Sequence, residues 1–128
     1  MADYLLDSCV LIRHLRRHQP TMDLFAALVL EGNVGIATIT RTEIIEGMRD
    51  HERERTLLLL DSLPAFPLDS ATADLAGEFI RRYRQQGLIL DRPDAIIGAT
   101  AVQGRSILVT YNRAHFPMPE LALYAPMP

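Results

Sequence analysis

Hydrophobic and polar positions along the chain alternate between short apolar runs and longer stretches with helical spacing. Tyr4-Leu5-Leu6 is an apolar run ending at Asp7, and Val10 to His18 follows with helical periodicity. Pro20 interrupts that pattern. From Met22 to Glu31 the apolar residues Met22, Phe25, Ala26, Val29 and Leu30 recur at helical intervals and stop at Gly32. Val34 to Thr38 is apolar and β-branched, as expected of a strand covered on both faces. Thr40 opens a helix through Arg49, a charged helix follows from His51 to Leu63, and Pro64 and Pro67 bracket a short strand at Ala65–Leu68. Ser70 to Gln86 predicts a long amphipathic helix closed by Gly87, with Leu75, Phe79, Ile80 and Tyr83 on one side. Asp94 to Gln103 is apolar nearly all round, which predicts a central helix pressed against the sheet. Ser106 to Thr110 reads as a fourth strand and Leu121 to Tyr124 as a candidate fifth. Strands separated by helices imply βαβ units with right-handed crossovers. The expected fold is a single α/β domain over residues 1–128, a mostly parallel central sheet flanked by helices.

Composition narrows the chemistry. The 128 residues are 48% hydrophobic and 23% charged, a globular rather than a disordered balance. The longest charge-free run, Ala95 to Gly104, falls well short of the roughly 20 apolar residues of a membrane span. Met1-Ala2-Asp3 leads directly into the first strand with no basic or apolar leader, so a cytoplasmic location is expected. A single cysteine, Cys9, excludes a disulfide framework and a cysteine-based zinc site. All 13 basic residues are arginine. Without lysine, P-loop phosphate binding, Schiff-base catalysis and lysine-assisted aspartyl-phosphate chemistry are excluded. The net charge of −3 also rules out holding nucleic acid by bulk charge. An acidic metal site and local arginine patches would have to do that work.

Ligands of open parallel sheets bind beyond the carboxyl ends of the strands. Asp7-Ser8 follows the first strand, Thr40-Arg41-Thr42-Glu43 the second, and Thr110-Tyr111-Asn112 the fourth, while Asp94 begins the central helix. Each acid also has a local use. Asp7 suits a turn or helix cap, Glu43 stands three residues after Thr40 as in a capping box, and Asp91 suits a cap with Asp94 favourably placed near the helix dipole. Gathered at one rim, the acids repel one another unless a cation neutralises them. Hard oxygen ligands without cysteine or paired histidine select Mg²⁺ or Mn²⁺. Such an ion can activate water and shield a phosphodiester's charge, which suits a nuclease.

Four segments resemble the PIN-domain family. Leu5-Leu6-Asp7-Ser8-Cys9-Val10-Leu11-Ile12 is similar to its opening strand and first acid, and Thr40-Arg41-Thr42-Glu43-Ile44-Ile45-Glu46-Gly47 to its second-acid helix. Asp94-Ala95-Ile96-Ile97-Gly98-Ala99-Thr100-Ala101 resembles the third-acid helix, and Ile107 to Phe116 the strand and turn of the fourth position. The likeness covers nearly the whole chain, and its size resembles the VapC-like toxins of toxin–antitoxin pairs. It implies a Mg²⁺- or Mn²⁺-dependent endoribonuclease acting on RNA. It further implies a homodimer, inhibited by a cognate VapB-like antitoxin whose C-terminal segment wraps the toxin. By position, Asp7, Glu43 and Asp94 would be the metal-binding and catalytic acids, with Asn112 at the fourth catalytic position and Ser8 and Thr110 as supporting hydroxyls. The fourth position departs from the fully acidic pattern: Asn112 stands where many relatives carry aspartate, and His115 where others do. One well-occupied metal site, or a second ion recruited only with RNA, is therefore expected. Glu46, one turn after Glu43, reads as a solvated face or a further ligand. Asp91 reads as a cap or a ligand. Cys9, where asparagine is common in the family, reads as a small core residue.

Arg13, Arg16 and Arg17, with His14 and His18, form a basic cluster just after the first acid and are candidate RNA-phosphate contacts. Arg81, Arg82 and Arg84 read as a solvated helix face. Aromatic residues are only 6% of the chain and tryptophan is absent, so base stacking is a minor resource. Two other readings keep the acidic pocket without nuclease activity: a receiver-like Mg²⁺ module, which ordinarily needs a lysine, and a PIN fold acting by protein interaction alone.

Overall fold

The computed structural model describes residues 2–128. Among them, four parallel strands form a sheet of order β3-β2-β1-β4, with β1 at Tyr4–Leu6, β2 at Val34–Ala37, β3 at Ala65–Phe66 and β4 at Ile107–Val109. Tyr4 pairs with both Val34 and Ile107, which fixes β1 at the centre of the register. Helices α1 (Ser8–Leu15), α2 (Gln19–Glu31), α3 (Thr38–Gly47), α4 (Arg53–Asp61), α5 (Ser70–Arg84) and α6 (Arg92–Gly104) cover the sheet. Successive strand side chains point to opposite faces. Leu5 and Leu108 therefore pack with Phe79, Tyr83 and Ile97 of α5 and α6, whereas Leu6 and Val109 pack with Leu11, Leu28, Ile44 and Leu60 of α1 to α4. A sheet buried on both faces needs apolar residues at every strand position, and β2 is buried along its whole length.

Helix α6 is buried at every residue from Ala95 to Ala101, which is why its sequence shows no polar stripe. Prolines sit in the first turns of α2 and α6, where a missing N–H costs nothing. Pro20 thus lies inside α2, not ahead of it. The charged helix begins later than its composition indicated: a 3₁₀ turn at Asp50–Glu52 precedes α4. Leu121 to Tyr124 does not form a fifth strand. Leu123 makes one isolated parallel bridge to Leu108, in a segment crowded by Pro117, Pro119 and Pro126, which lack the N–H a ladder needs. No helix among the described residues is long and apolar enough to cross a membrane.

Gly35 marks a close approach between β2 and β3. A Cβ there would lie 2.6 Å from Phe66 Cε2 and 2.9 Å from the Pro64 carbonyl oxygen, and backbone cannot move aside cheaply. Gly35→Ala is expected to destabilise the fold by about 1–3 kcal/mol, read as a lower denaturation midpoint. An unchanged midpoint would show that β3 shifts without loss.

Candidate functional site

The chain runs from β1 to β2 and β3 on one side, then returns to place β4 on the other side of β1. That reversal opens a crevice between the carboxyl ends of β1 and β4. Asp7 follows β1 and Thr110 follows β4, so the two face each other across it. Asp7 is only 2% exposed. It caps α1 by accepting from the Ser8 N–H through Oδ1 at 2.8 Å, and it accepts from Thr110 Oγ1 through Oδ2 at 2.7 Å. Thr110 Oγ1 in turn accepts from the Asn112 N–H at 3.0 Å. The cap reading of Asp7 therefore holds for one oxygen, while the other is oriented by Thr110.

Cys9 belongs to this network rather than simply to the core. Its Sγ lies 3.5 Å from both Asp7 Oδ2 and Thr110 Oγ1 and accepts from the Tyr111 N–H at 3.4 Å. Burial, and then the adjacent Asp7 charge, push its thiol pKa up, which keeps it a neutral donor. Sequence spacing gave a faint signal for this, since Cys9 occupies the first turn of the helix that Asp7 caps.

Glu43 comes from α3, which begins at Thr38 with Ala37 as N-cap and no side-chain cap bond. The capping box that Thr40 and Glu43 could make does not form: Thr40 Oγ1 and Glu43 Oε1 are both buried without a partner. Burial first, then the charges of Asp7 and Asp94, raise the Glu43 carboxyl to about 7, against some opposition from the Ser8 hydroxyl. Asp94, in the first turn of α6, is pushed upward by burial and by Asp7. His115 opposes this shift, with Nδ1 3.3 Å from Asp94 Oδ2. The histidine thus sits against an acid, a contact that only the folded chain reveals.

The remaining candidates separate. Asp91 occupies the N-cap of α6, yet its side chain makes no cap bond; it is exposed, and its charge adds to the upward pressure on Asp94. Glu46 is exposed and acts on Glu43 by charge. Asn112 is exposed and reaches Thr110 through its backbone. Arg13 stacks on Tyr111, its guanidinium carbon 3.7 Å from the ring centroid, and Tyr111 is held through a 2.7 Å hydrogen bond between its hydroxyl and Thr21 Oγ1. Arg16 lines a cleft that also contains Glu43. Arg17, at φ 60, forms the turn after α1. On α5, Arg81 pairs with Glu78 and Arg82 with Glu120, consistent with a solvated face.

Asp7, Glu43 and Asp94 thus stand at one edge of the sheet, near enough for Asp7 to raise both of the others. Among the described residues, no three His, Cys, Asp or Glu side chains converge as tightly as a bound ion would require. The donor set nonetheless fits a hard divalent cation: carboxylate and hydroxyl oxygens, and one buried Glu43 oxygen lacking any partner.

The chain matches the PIN domain family over residues 4–119. It is 37% identical to Ribonuclease VapC10 of Mycobacterium tuberculosis over 114 residues, covering 89% of this chain and 86% of that protein. Its fold is similar to that of VapBC2 from Rickettsia felis bound to a DNA fragment from their promoter, with a TM-score of 0.81 at 20% identity over 94% of this chain and 96% of that one. It is also similar to a toxin–antitoxin complex from Klebsiella pneumoniae, with a TM-score of 0.77 at 25% identity over 93% and 95%. Four ordered motifs in a parallel sheet, a family match over residues 4–119 and a 37% identical relative converge: the chain belongs to the PIN-domain family, in its VapC-like group.

Proposed function

We propose that the protein is a Mg²⁺- or Mn²⁺-dependent endoribonuclease and the toxin of a toxin–antitoxin pair. The observation that carries this reading is the buried, partnerless Glu43 oxygen beside Asp7 and Asp94, an arrangement that is costly without a cation. The likeness to Ribonuclease VapC10 supports RNA as substrate, and the likeness to the Klebsiella pneumoniae complex supports an antitoxin partner. The same membership supports a cytoplasmic homodimer, with a VapB-like antitoxin whose C-terminal segment wraps it. The likeness to a named ribonuclease favours the nuclease over either interaction-only alternative.

Asp7, Glu43 and Asp94 would hold the ion, which when bound supplies an activated water and charge shielding for the phosphodiester. Thr110 fixes which Asp7 oxygen turns inward, because its hydroxyl donates to Oδ2 while the Ser8 N–H engages Oδ1. His115 restrains Asp94 in the same way from the outer side. Arg13, flattened on Tyr111, keeps its N–H edge free for a phosphate oxygen near the site. Asn112, exposed at the rim, can orient substrate but adds no charge.

The test is paired. Calorimetric titration with Mn²⁺ is expected to show one binding event at micromolar to millimolar metal, lost in Asp94→Asn. RNA cleavage is expected with Mn²⁺ or Mg²⁺ and absent in EDTA. Cleavage undiminished by EDTA would overturn the metal dependence, and a protein that binds Mn²⁺ but cuts no RNA would overturn the nuclease.

A further inference from the structure

Tyr111 extends from the turn after β4 into the corner between α1 and α2, where it enters a polar array that the acid cluster does not explain. Its hydroxyl lies 2.7 Å from Thr21 Oγ1, and Thr21 Oγ1 lies 2.7 Å from His18 Nδ1. Thr21 is 0% exposed, so these two neighbours are its hydroxyl's partners in place of water. One proton and two lone pairs serve both: Thr21 donates to one neighbour and accepts from the other. His18 holds the N-cap position of α2, yet its side chain makes no cap bond; the ring turns to Thr21 instead. The surroundings are apolar, since Tyr111 packs against the cluster that contains Val10, Leu11, Leu24 and Leu28. Phenylalanine and valine would meet the needs of burial at these two positions, because replacing both partners of a buried bond by apolar groups is nearly neutral. A fully bonded polar array in such a place fixes direction.

At its backbone end Tyr111 is built into the wall of the site. Its N–H donates to Cys9 Sγ at 3.4 Å, and Cys9 lies 3.5 Å from Asp7 Oδ2. Thr110, the preceding residue, donates to the same Asp7 oxygen. We propose that Tyr111 and Thr21 are positioning residues of the metal site. Tethered to α2, the Tyr111 side chain sets the turn after β4, and that turn sets the oxygen that Asp7 directs inward. The proposal rests on the metal-dependent ribonuclease reading and extends it to a bond outside the acid cluster. Two attachments leave the ring little freedom: Arg13 lies on its face, and the hydroxyl is held at its far edge. Asp7 Oδ1 is held by the Ser8 N–H at its own helix start, so only Oδ2 depends on β4. Loss of the tether therefore loosens one oxygen of one acid. Glu43 and Asp94, carried by α3 and α6, keep their places.

Calorimetric titration of the full chain with Mn²⁺, well below the melting temperature, tests this, with cleavage followed over a Mn²⁺ series. Tyr111→Phe keeps the ring and the Arg13 stack and removes only the tether. It is expected to weaken Mn²⁺ binding roughly tenfold, the low end of what outer-sphere partners of metal ligands cost. The Mn²⁺ concentration for half-maximal cleavage should rise by the same factor, while the KM for RNA at saturating Mn²⁺ stays at the wild-type value. Thr21→Val is expected to match that loss, and Thr21→Ser to restore wild-type affinity. The double variant carrying Thr21→Val and Tyr111→Phe should lose no more than either alone, as the two partners of one bond do. A bond with only a structural role would lower the melting temperature and leave Mn²⁺ affinity unmoved, and that result overturns the proposal. So does a Thr21→Ser chain that binds as weakly as Thr21→Val. If Thr21→Val fails to fold, Tyr111→Phe, which removes a single oxygen atom, decides alone. A wild-type chain that binds no Mn²⁺ overturns the metal reading, and the proposal with it. A wild-type chain that binds Mn²⁺ without cutting RNA overturns the nuclease reading, and the calorimetry still decides the tether.

Discussion

Asp94→Asn is expected to reduce metal-dependent RNA cleavage by more than about 100-fold, since even outer-sphere partners of metal ligands cost about 10–100-fold. The fold should survive. The Asp94 side chain is 16% exposed, and its partner His115 is 55% exposed, so their contact contributes at most about 1 kcal/mol. Asparagine also keeps the helix-start polarity of α6 and relieves the repulsion from Asp7. Circular dichroism and a thermal melt should therefore match the wild type while cleavage collapses. Retained cleavage would falsify the assignment of Asp94. Asp7 is the less clean target, because Asp7→Ala also removes the α1 cap and strands the Thr110 hydroxyl, a structural loss of about 1–3 kcal/mol. Comparing the two variants separates what the acids do for chemistry from what they do for folding.

Glu43→Gln should abolish cleavage and yet stabilise the metal-free protein at alkaline pH. The Glu43 carboxyl is raised to about 7 in the folded chain from an ordinary value of 4.5. Between those two values Glu43 holds its proton in the folded chain and not in the unfolded one, so its own contribution to stability is most favourable in acid and is lost as pH rises through about 7. Glutamine mimics the neutral acid and carries no such dependence. Melts in EDTA should thus coincide for wild type and variant near pH 4.5 and diverge by pH 8, with the variant melting higher. Half-burial tempers the size of the effect, because solvent screens part of the charge. Mn²⁺ should reverse the order at pH 8 by stabilising only the chain that can bind it. Parallel pH profiles for the two proteins would show that Glu43 is not the strained group.

Much of this was legible before folding because the relevant signals are local. The βαβ alternation fixed the sheet's direction, and residues just beyond strand ends had to meet at one rim, which located Asp7 and Thr110. The apolar wrap of Ala95 to Ala101 correctly implied a helix enclosed on all sides. Boundaries were harder. Helix α3 begins at Thr38, two residues before the threonine that seemed to cap it, so Thr40 turns inward and leaves Glu43 free of local duty. The run at Leu121 to Tyr124 looked like a strand because β-type composition does not reveal how little ladder the flanking prolines permit. Contacts between distant segments left almost no trace. Cys9 meets Thr110 from 101 residues away, and Tyr111 meets Thr21 across 90. Such pairings depend on tertiary packing that no window of sequence encodes.

The bond from Thr110 to Asp7 joins residues 103 positions apart. Its timing during synthesis follows from that span. A growing polypeptide presents Asp7 a full 103 residues before the hydroxyl that orients it. Until then the first acid has no wall opposite it. A chain interrupted upstream of Val109 therefore lacks both the strand and the hydroxyl that position the first acid.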